Sequence, residues 1–327
     1  MHEITPENAA DYLRHVGLAT KDQAIDIQAL GWGVSNIVMR VNIEGEPPLV
    51  LKQSREQLRT KAAWFSRLDR IWTETAALRL LAGVVAEGVV PQVIFEDRDN
   101  YLFVMSCAPD DSMVWKEQLL EGITDPRVAT QSGTILAAFH TVKPDPTGPL
   151  GDLEVFDQLR IDPFYRHIAL AHPDLASIID HLIKSMKIAS PKFVHADFSP
   201  KNILVHSQGL TIVDFETAHG GDPAFDLGFF LSHLILKALR AAPDHGRFLD
   251  LTRIFWKSYG TIDPELIQRS ICHTAACGLA RIDGKSPVDY LDEHQRQTIR
   301  ELMIPNLIDP CRDWSDFLEM FTRNLPS

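Results

Sequence analysis

Five polar residues sit close together in residues 193–227: His195, Asp197, Asn202, Asp214 and Glu216. The first run reads FVHADFSPKNILV and the second LTIVDFETAHGGDPAFDL. A carboxylate at Asp197 can take a proton from a hydroxyl. The Asn202 amide oxygen with the Asp214 and Glu216 carboxylates offers hard oxygen ligands. Such ligands suit Mg²⁺, which binds through one or two carboxylates and keeps its other positions for water and substrate phosphates. Lys201 adds a positive charge suited to a phosphate, and Pro200 stiffens the loop.

These residues need an element that brings them together. Ile203–Val205 and Leu210–Val213 are short apolar runs joined by His206-Ser207-Gln208-Gly209, which predicts a β-hairpin. Asn202 precedes its first strand and Asp214 follows its second, so both come to one end of the hairpin. Asp197 lies on the loop just before.

The order H-x-D-x-x-x-x-N followed by an acidic metal motif resembles the catalytic core of the protein-kinase-like superfamily. The H-x-D loop, Asp214-Phe215-Glu216 and Gly220–Leu227 are similar to the aminoglycoside phosphotransferase and choline kinase branch. The resemblance implies an α+β, bilobal fold, with a small antiparallel-sheet N-lobe over residues 1–106 and a mainly helical C-lobe over 107–327. It also implies an ATP- and Mg²⁺-dependent kinase with Asp197 as the base and Asn202, Asp214 and Glu216 at the metal. The acceptor is then a hydroxyl of a sugar, aminoglycoside or amino-alcohol-type metabolite. A nucleotide-binding pseudokinase with a regulatory role is the alternative, and a metal hydrolase is a further rival.

The N-terminal half reads as the nucleotide clamp that this resemblance requires. Gly31-x-Gly33-x-x-Asn36-x-Val38 matches a glycine-rich loop with Asn36 at the third glycine. Asn tolerates a left-handed backbone, which keeps a tight turn open there. Ile37, Met39, Val41 and Ile43 alternate as one face of a strand. Leu49–Gln53 is an apolar strand carrying Lys52. Apolar positions from Leu68 to Leu81 have helical spacing, with Ser66 and Asp69 as a capping signal. Glu74 falls on the buried face of that helix, where an acid is costly without a partner. Lys52 is the natural partner, as in the kinase Lys–Glu pair that serves the phosphates. Tyr101–Pro109 resembles the kinase hinge, which implies that the Ser106 carbonyl and Ala108 amide read the base beside Met105.

Elsewhere the pattern is helical: near Pro6–Val16, Thr130–Val142, 153–190, 227–243, 245–259, 264–281 and 292–308. His140 reads as a core histidine. Asp226 reads as an anchor for the catalytic loop or as a helix cap. Only residues 215–225 separate Asp214 from Asp226. A protein kinase places a longer activation segment here, so a small hydroxylated molecule is favoured over a peptide.

Leu51–Glu74 is similar to the segment of methylthioribose kinases that joins the lysine strand to the glutamate helix. Arg281 and Lys285 belong either to the acceptor site or to a plain surface loop. Asp162, Arg166 and His167 fall where this family builds its acceptor pocket.

The 327 residues carry a formal net charge of −12. That argues against a nucleic-acid partner, which needs clustered Lys and Arg. No apolar run is long enough to span a bilayer. Cys107, Cys272, Cys277 and Cys311 form no C-x-x-C pair, and reduced thiols in a cytoplasmic enzyme are expected. A homodimer stays open.

Overall fold

A computed structural model describes residues 2–31, 36–56, 65–188, 191–261 and 263–325. The chain divides into two compact units, one ending at Asp110 and the other starting at Asp111.

The N-terminal unit is built on a five-stranded sheet. Its strands are β1 (Ile25–Ala29), β2 (Asn36–Ile43), β3 (Leu49–Ser54), β4 (Val93–Asp97) and β5 (Leu102–Ser106). They pair in the order β1-β2-β3-β5-β4, every pair antiparallel. The expected alternation in β2 holds: Met39, Val41 and Ile43 are buried and Ile37 packs at their edge. This face meets Ala9 and Leu13 of the helix Pro6–His15. Pro6 starts that helix, and the Asn8 side chain accepts the Thr5 N–H at 2.8 Å. Gln53, fully buried, donates to the His2 and Asn100 carbonyls and accepts from the Ile4 N–H at 2.8 Å. A satisfied buried amide of this kind costs little and fixes the register of three segments.

The helix Arg70–Leu81 differs from the amphipathic reading. Arg70, Ile71, Trp72, Thr73, Glu74, Thr75, Ala77, Leu78 and Leu81 are all buried, so it is covered on nearly every side. The N-cap position falls to Asp69, three residues after Ser66; Asp69 makes no capping hydrogen bond and instead takes Arg67 Nε at 2.9 Å.

The C-terminal unit is mainly helical. It carries β6 (Met113–Val114), β7 (Lys192–Val194), β8 (Ile203–His206), β9 (Gly209–Ile212) and β10 (His219–Gly221). β8 and β9 form the expected hairpin, with β6 on the other edge of β8. Its turn is tighter than the sequence suggested: His206 pairs with Gly209, leaving Ser207 and Gln208 at the tip. Gly209 has φ +140°, a conformation that glycine supplies at no steric cost.

The helix Pro223–Arg240 is the axis of this unit, with every residue from Ala224 to Leu239 buried. Asp222 caps it by accepting the Ala224 N–H, so the cap lies four positions before Asp226. At Gly228 the backbone of the helix Pro264–Asp283 passes so close that a Cβ would sit 2.4 Å from His273 Cβ. Residues 153–190 are less regular than expected. Asp157–Arg166 is wound as a π-helix around Pro163, and the chain breaks again at Pro173–Leu175. A last helix, Trp314–Arg323, had no counterpart in the sequence reading.

Among the described residues no helix is long and apolar enough to cross a membrane. All four cysteines are free thiols.

Candidate active site

The catalytic loop hangs on one buried acid. Asp226 is fully buried in the first turn of its helix. Its carboxylate accepts the His195 N–H at 2.7 Å and the Ala196 N–H at 2.8 Å. His140 Nε2 lies 3.3 Å from the same carboxylate, and His140 Nδ1 meets the Tyr259 hydroxyl at 2.8 Å. Asp226 is therefore the loop anchor and Asp222 the cap. Replacing Asp226 with Ala strands two buried N–H donors. It is expected to cost about 3–5 kcal/mol in urea unfolding, from lost charged hydrogen bonds and unpaired donors.

That grip lets the backbone adopt a rare shape. Ala196 has φ +61° and Asp214 has φ +71°, the left-handed region that non-glycine residues seldom enter. Each costs roughly 1–3 kcal/mol and persists where surrounding contacts over-determine it, which is typical of functional sites.

Asp197 is buried and contacted on three sides. Arg160 Nη2 lies 2.7 Å from Oδ1, Lys201 Nζ 2.7 Å from Oδ2, and Asn202 Nδ2 2.8 Å from Oδ2. Burial pushes this carboxyl up, but the Arg160 guanidinium and Lys201 ammonium outweigh it and hold the group below the usual carboxylate range. It is ionised at neutral pH. Lys201, expected to offer its charge to a phosphate, has its ammonium engaged by Asp197.

Asn202 donates from Nδ2 to both the Asp197 carbonyl, at 3.0 Å, and its carboxylate. Both partners are acceptors, which fixes the amide orientation and leaves Oδ1 as the remaining oxygen. The Val213 N–H donates to the Asn202 carbonyl at 3.0 Å, so Asn202 and Asp214 end the same hairpin, as the sequence predicts. Asp214 is half-buried and Glu216 buried. Thr217 Oγ1 ties this segment back to the His195 carbonyl at 3.2 Å. The donor set fits a Mg²⁺ bound through an amide oxygen and carboxylates. Among the described residues no three His, Cys, Asp or Glu side chains form a closed metal cage. Mg²⁺ does not require one.

His195 shapes the loop. Its buried ring lies 4.4 Å from the Phe215 ring, and Nδ1 accepts the Asp197 N–H at 3.2 Å. Burial lowers its pKa despite the pull of Asp226, Asp197 and Asp214, so the ring is neutral.

Arg160 escaped the sequence reading. Besides Asp197 it binds the Ala196 carbonyl through Nε at 2.6 Å. Asp162, Arg166 and His167 are exposed, and Arg166 pairs with Asp157.

In the N-terminal unit, Lys52 Nζ and Glu74 Oε2 are 2.6 Å apart with both side chains buried. The predicted pair is present, and Val38 is the β2 partner of Lys52 in register. Asn36, at the third-glycine position, opens β2 opposite Ser54, is buried, and its amide oxygen accepts from Arg70 Nη2 at 3.3 Å. Gly31 is exposed in a turn, and Gly33 lies outside the described residues. At the end of β5 the Ser106 N–H donates to the Gln92 carbonyl and the Cys107 N–H to the Pro48 carbonyl. Among the described residues the Ala108 N–H meets no protein acceptor.

Between Asp214 and Asp226 the chain makes only β10, paired to β7, before the helix begins. That short connection carries no peptide-presenting segment. A cavity of about 660 Å³ beside Thr298, Asn306 and Met320 contains none of these residues.

The profile of the phosphotransferase enzyme family matches residues 26–255. The chain belongs to this family. It is a phosphotransferase with an alcohol group as acceptor. A methylthioribose kinase of Exiguobacterium sibiricum is 25% identical over 300 residues, covering 81% of this chain and 75% of its own. One from Pectobacterium atrosepticum is 24% identical over 296 residues, covering 78% and 74%. Among solved structures, an amicoumacin kinase in complex with AMP-PNP, Ca²⁺ and Ami shares the fold with a TM-score of 0.57 at 13% identity, covering 97% of this chain and 100% of its own. A choline/ethanolamine kinase family protein from Mesorhizobium loti gives 0.53 at 17% identity, covering 97% and 92%. The family match and these kinase relatives favour a small-molecule phosphotransferase over a pseudokinase.

Proposed function

We propose that this chain is an ATP- and Mg²⁺-dependent small-molecule kinase that transfers the γ-phosphoryl group to a hydroxyl of a metabolite. The observation that carries the reading is Asp197, ionised between Arg160 and Lys201, beside an amide oxygen and a carboxylate at one hairpin end. Gly31, Val38 and Lys52, with Glu74 steadying the lysine, serve the nucleotide phosphates. Met105, Ser106 and the open Ala108 N–H serve the base. Asn202, Asp214 and Glu216 hold Mg²⁺, which neutralises charge on the phosphates.

The acceptor oxygen forms a bond to the γ-phosphorus as the bond to the β-phosphate oxygen breaks, and ADP departs. The acceptor proton goes to Asp197. A carboxylate with a lowered pKa is a weak base. Its main work is to orient the hydroxyl and accept the proton late, as a loose transition state requires.

The test is ADP release with Mg²⁺ across methylthioribose, choline, homoserine, aminoglycosides and simple sugars. Acceptor-dependent ADP release that stops without Mg²⁺ is the expected result. An absence of ATP binding would overturn the reading.

The ion pairs set a pH dependence. Arg160 favours the charged form of Asp197, so Arg160→Met is expected to raise the Asp197 pKa. The acidic limb of kcat/KM then moves to higher pH. An unmoved limb would mean that another group titrates.

A further inference from the structure

A cluster of basic residues in the C-terminal unit has no part in the scheme above. His233 and Lys237 lie one turn apart on the helix Pro223–Arg240, and Arg281 stands near the end of the helix Pro264–Asp283. Lys237 is only 2% exposed. Its Nζ reaches the His233 carbonyl at 3.3 Å and lies 5.6 Å from the Tyr290 ring centre. No carboxylate pairs with it among the described residues. The charged groups acting on it are Lys116, Arg281 and Arg240, and burial followed by these cations pulls it down to about 7. Burial, then Lys237, Arg281, Lys201 and Lys116, also hold the His233 imidazole well below its ordinary value. The Tyr290 hydroxyl and Arg281 Nε are buried without a protein hydrogen-bond partner among the described residues.

The cluster borders the base. Arg160, which holds Asp197, and Arg281 each lie 6.0 Å from the Phe164 ring. Asp197 and Arg160 both act electrostatically on Arg281, and Lys201 acts on His233.

Burying an ammonium among other cations is costly unless an anion compensates it. Among the described residues only cations act on Lys237. Perturbed groups packed beside a reactive residue are candidates for a binding site. We infer that the acceptor carries an anionic group, a carboxylate or a phosphate, held by Lys237, Arg281 and the Tyr290 hydroxyl next to Asp197. This rests on the reading of Asp197 as the base. The overall net charge of −12 does not set the acceptor's charge; the local charge decides.

Matched acceptor pairs test it: glycerate with glycerol, gluconate with glucitol, and ribose 5-phosphate with ribose, with choline as the cationic control. ADP release is measured for the wild type, Lys237→Met and Arg281→Met. The charged member is expected to be preferred at least about tenfold, the effect of one charged hydrogen bond. Each substitution should erase that preference by raising the acceptor KM, with ADP affinity unchanged. The carboxylate and phosphate arms tell the two anions apart. A neutral or cationic preference, or a preference that survives Lys237→Met, would overturn the inference. So would an equal loss of ADP affinity, which would make the cluster a nucleotide-phosphate site.

A second readout needs no turnover. Malonate and inorganic phosphate should raise the melting temperature of the wild type. Lys237→Met should melt higher than wild type without anion, because a buried cation is gone, and should not respond to either anion. Equal shifts in both proteins, or none in the wild type, would overturn the inference even if no acceptor in the panel is phosphorylated. Failure of ATP binding would instead sink the kinase reading, and the anion shift would still report on the cluster.

Discussion

Asp197→Asn is expected to lower kcat by about 10²–10⁴-fold, the usual contribution of a positioned proton acceptor, while ADP affinity stays within about twofold. The substitution keeps the shape of the side chain and removes its charge. One amide atom can still accept from Arg160 or from Asn202. The other must then face a donor, because Oδ1 meets Arg160 and Oδ2 meets both Lys201 and Asn202. Two cations also lose the anion that compensates them. A drop in melting temperature should therefore accompany the loss of turnover, and kcat must be measured below the new melting transition. Single-turnover phosphoryl transfer separates the two effects, since folded enzyme with bound nucleotide will still not react. A fall in kcat of less than about tenfold would remove Asp197 from the proton path and leave it a purely structural ion-pair centre.

The catalytic loop was legible because its parts are neighbours in sequence. His195, Asp197 and Asn202 share one loop, and a hairpin returns the chain to Asp214 after a two-residue tip. Lys52 and Glu74 are far apart in sequence, yet they were legible through cost: an acid on a buried helix face demands a cation. The surroundings of Asn36 were not legible, because tolerance of a left-handed backbone is permission and not a requirement, and it does not foretell strand pairing with Ser54 or the reach of Arg70. Arg160 was hidden for a different reason. It lies 36 positions before Ala196, in a π-wound stretch around Pro163 where helical spacing no longer tells which residues share a face. Of the Lys237 cluster only Arg281 drew notice in the sequence. The cluster joins two helices and the loop at Tyr290, and a lysine near a helix end reads by default as a side chain that snorkels to water.

The second large effect concerns the N-terminal unit. Lys52→Met withdraws the ammonium 2.6 Å from a Glu74 carboxylate that is 1% exposed. Breaking a buried pair from one side typically costs about 3–5 kcal/mol, whereas replacing both members with apolar groups is often neutral. The double variant Lys52→Met with Glu74→Leu is therefore expected to regain most of the lost stability in urea unfolding. Activity should not follow. If Lys52 serves the nucleotide phosphates, both variants lose a charged hydrogen bond to the nucleotide, worth about 10–100-fold in kcat/KM for ATP. The comparison separates two reasons for burying this lysine. Val38, its register partner on β2, is unchanged in both proteins, so the sheet itself serves as the internal control. Recovery of stability together with wild-type kcat/KM would make the pair a packing device. Recovery of stability alone identifies a charge that the fold can do without and phosphoryl transfer cannot.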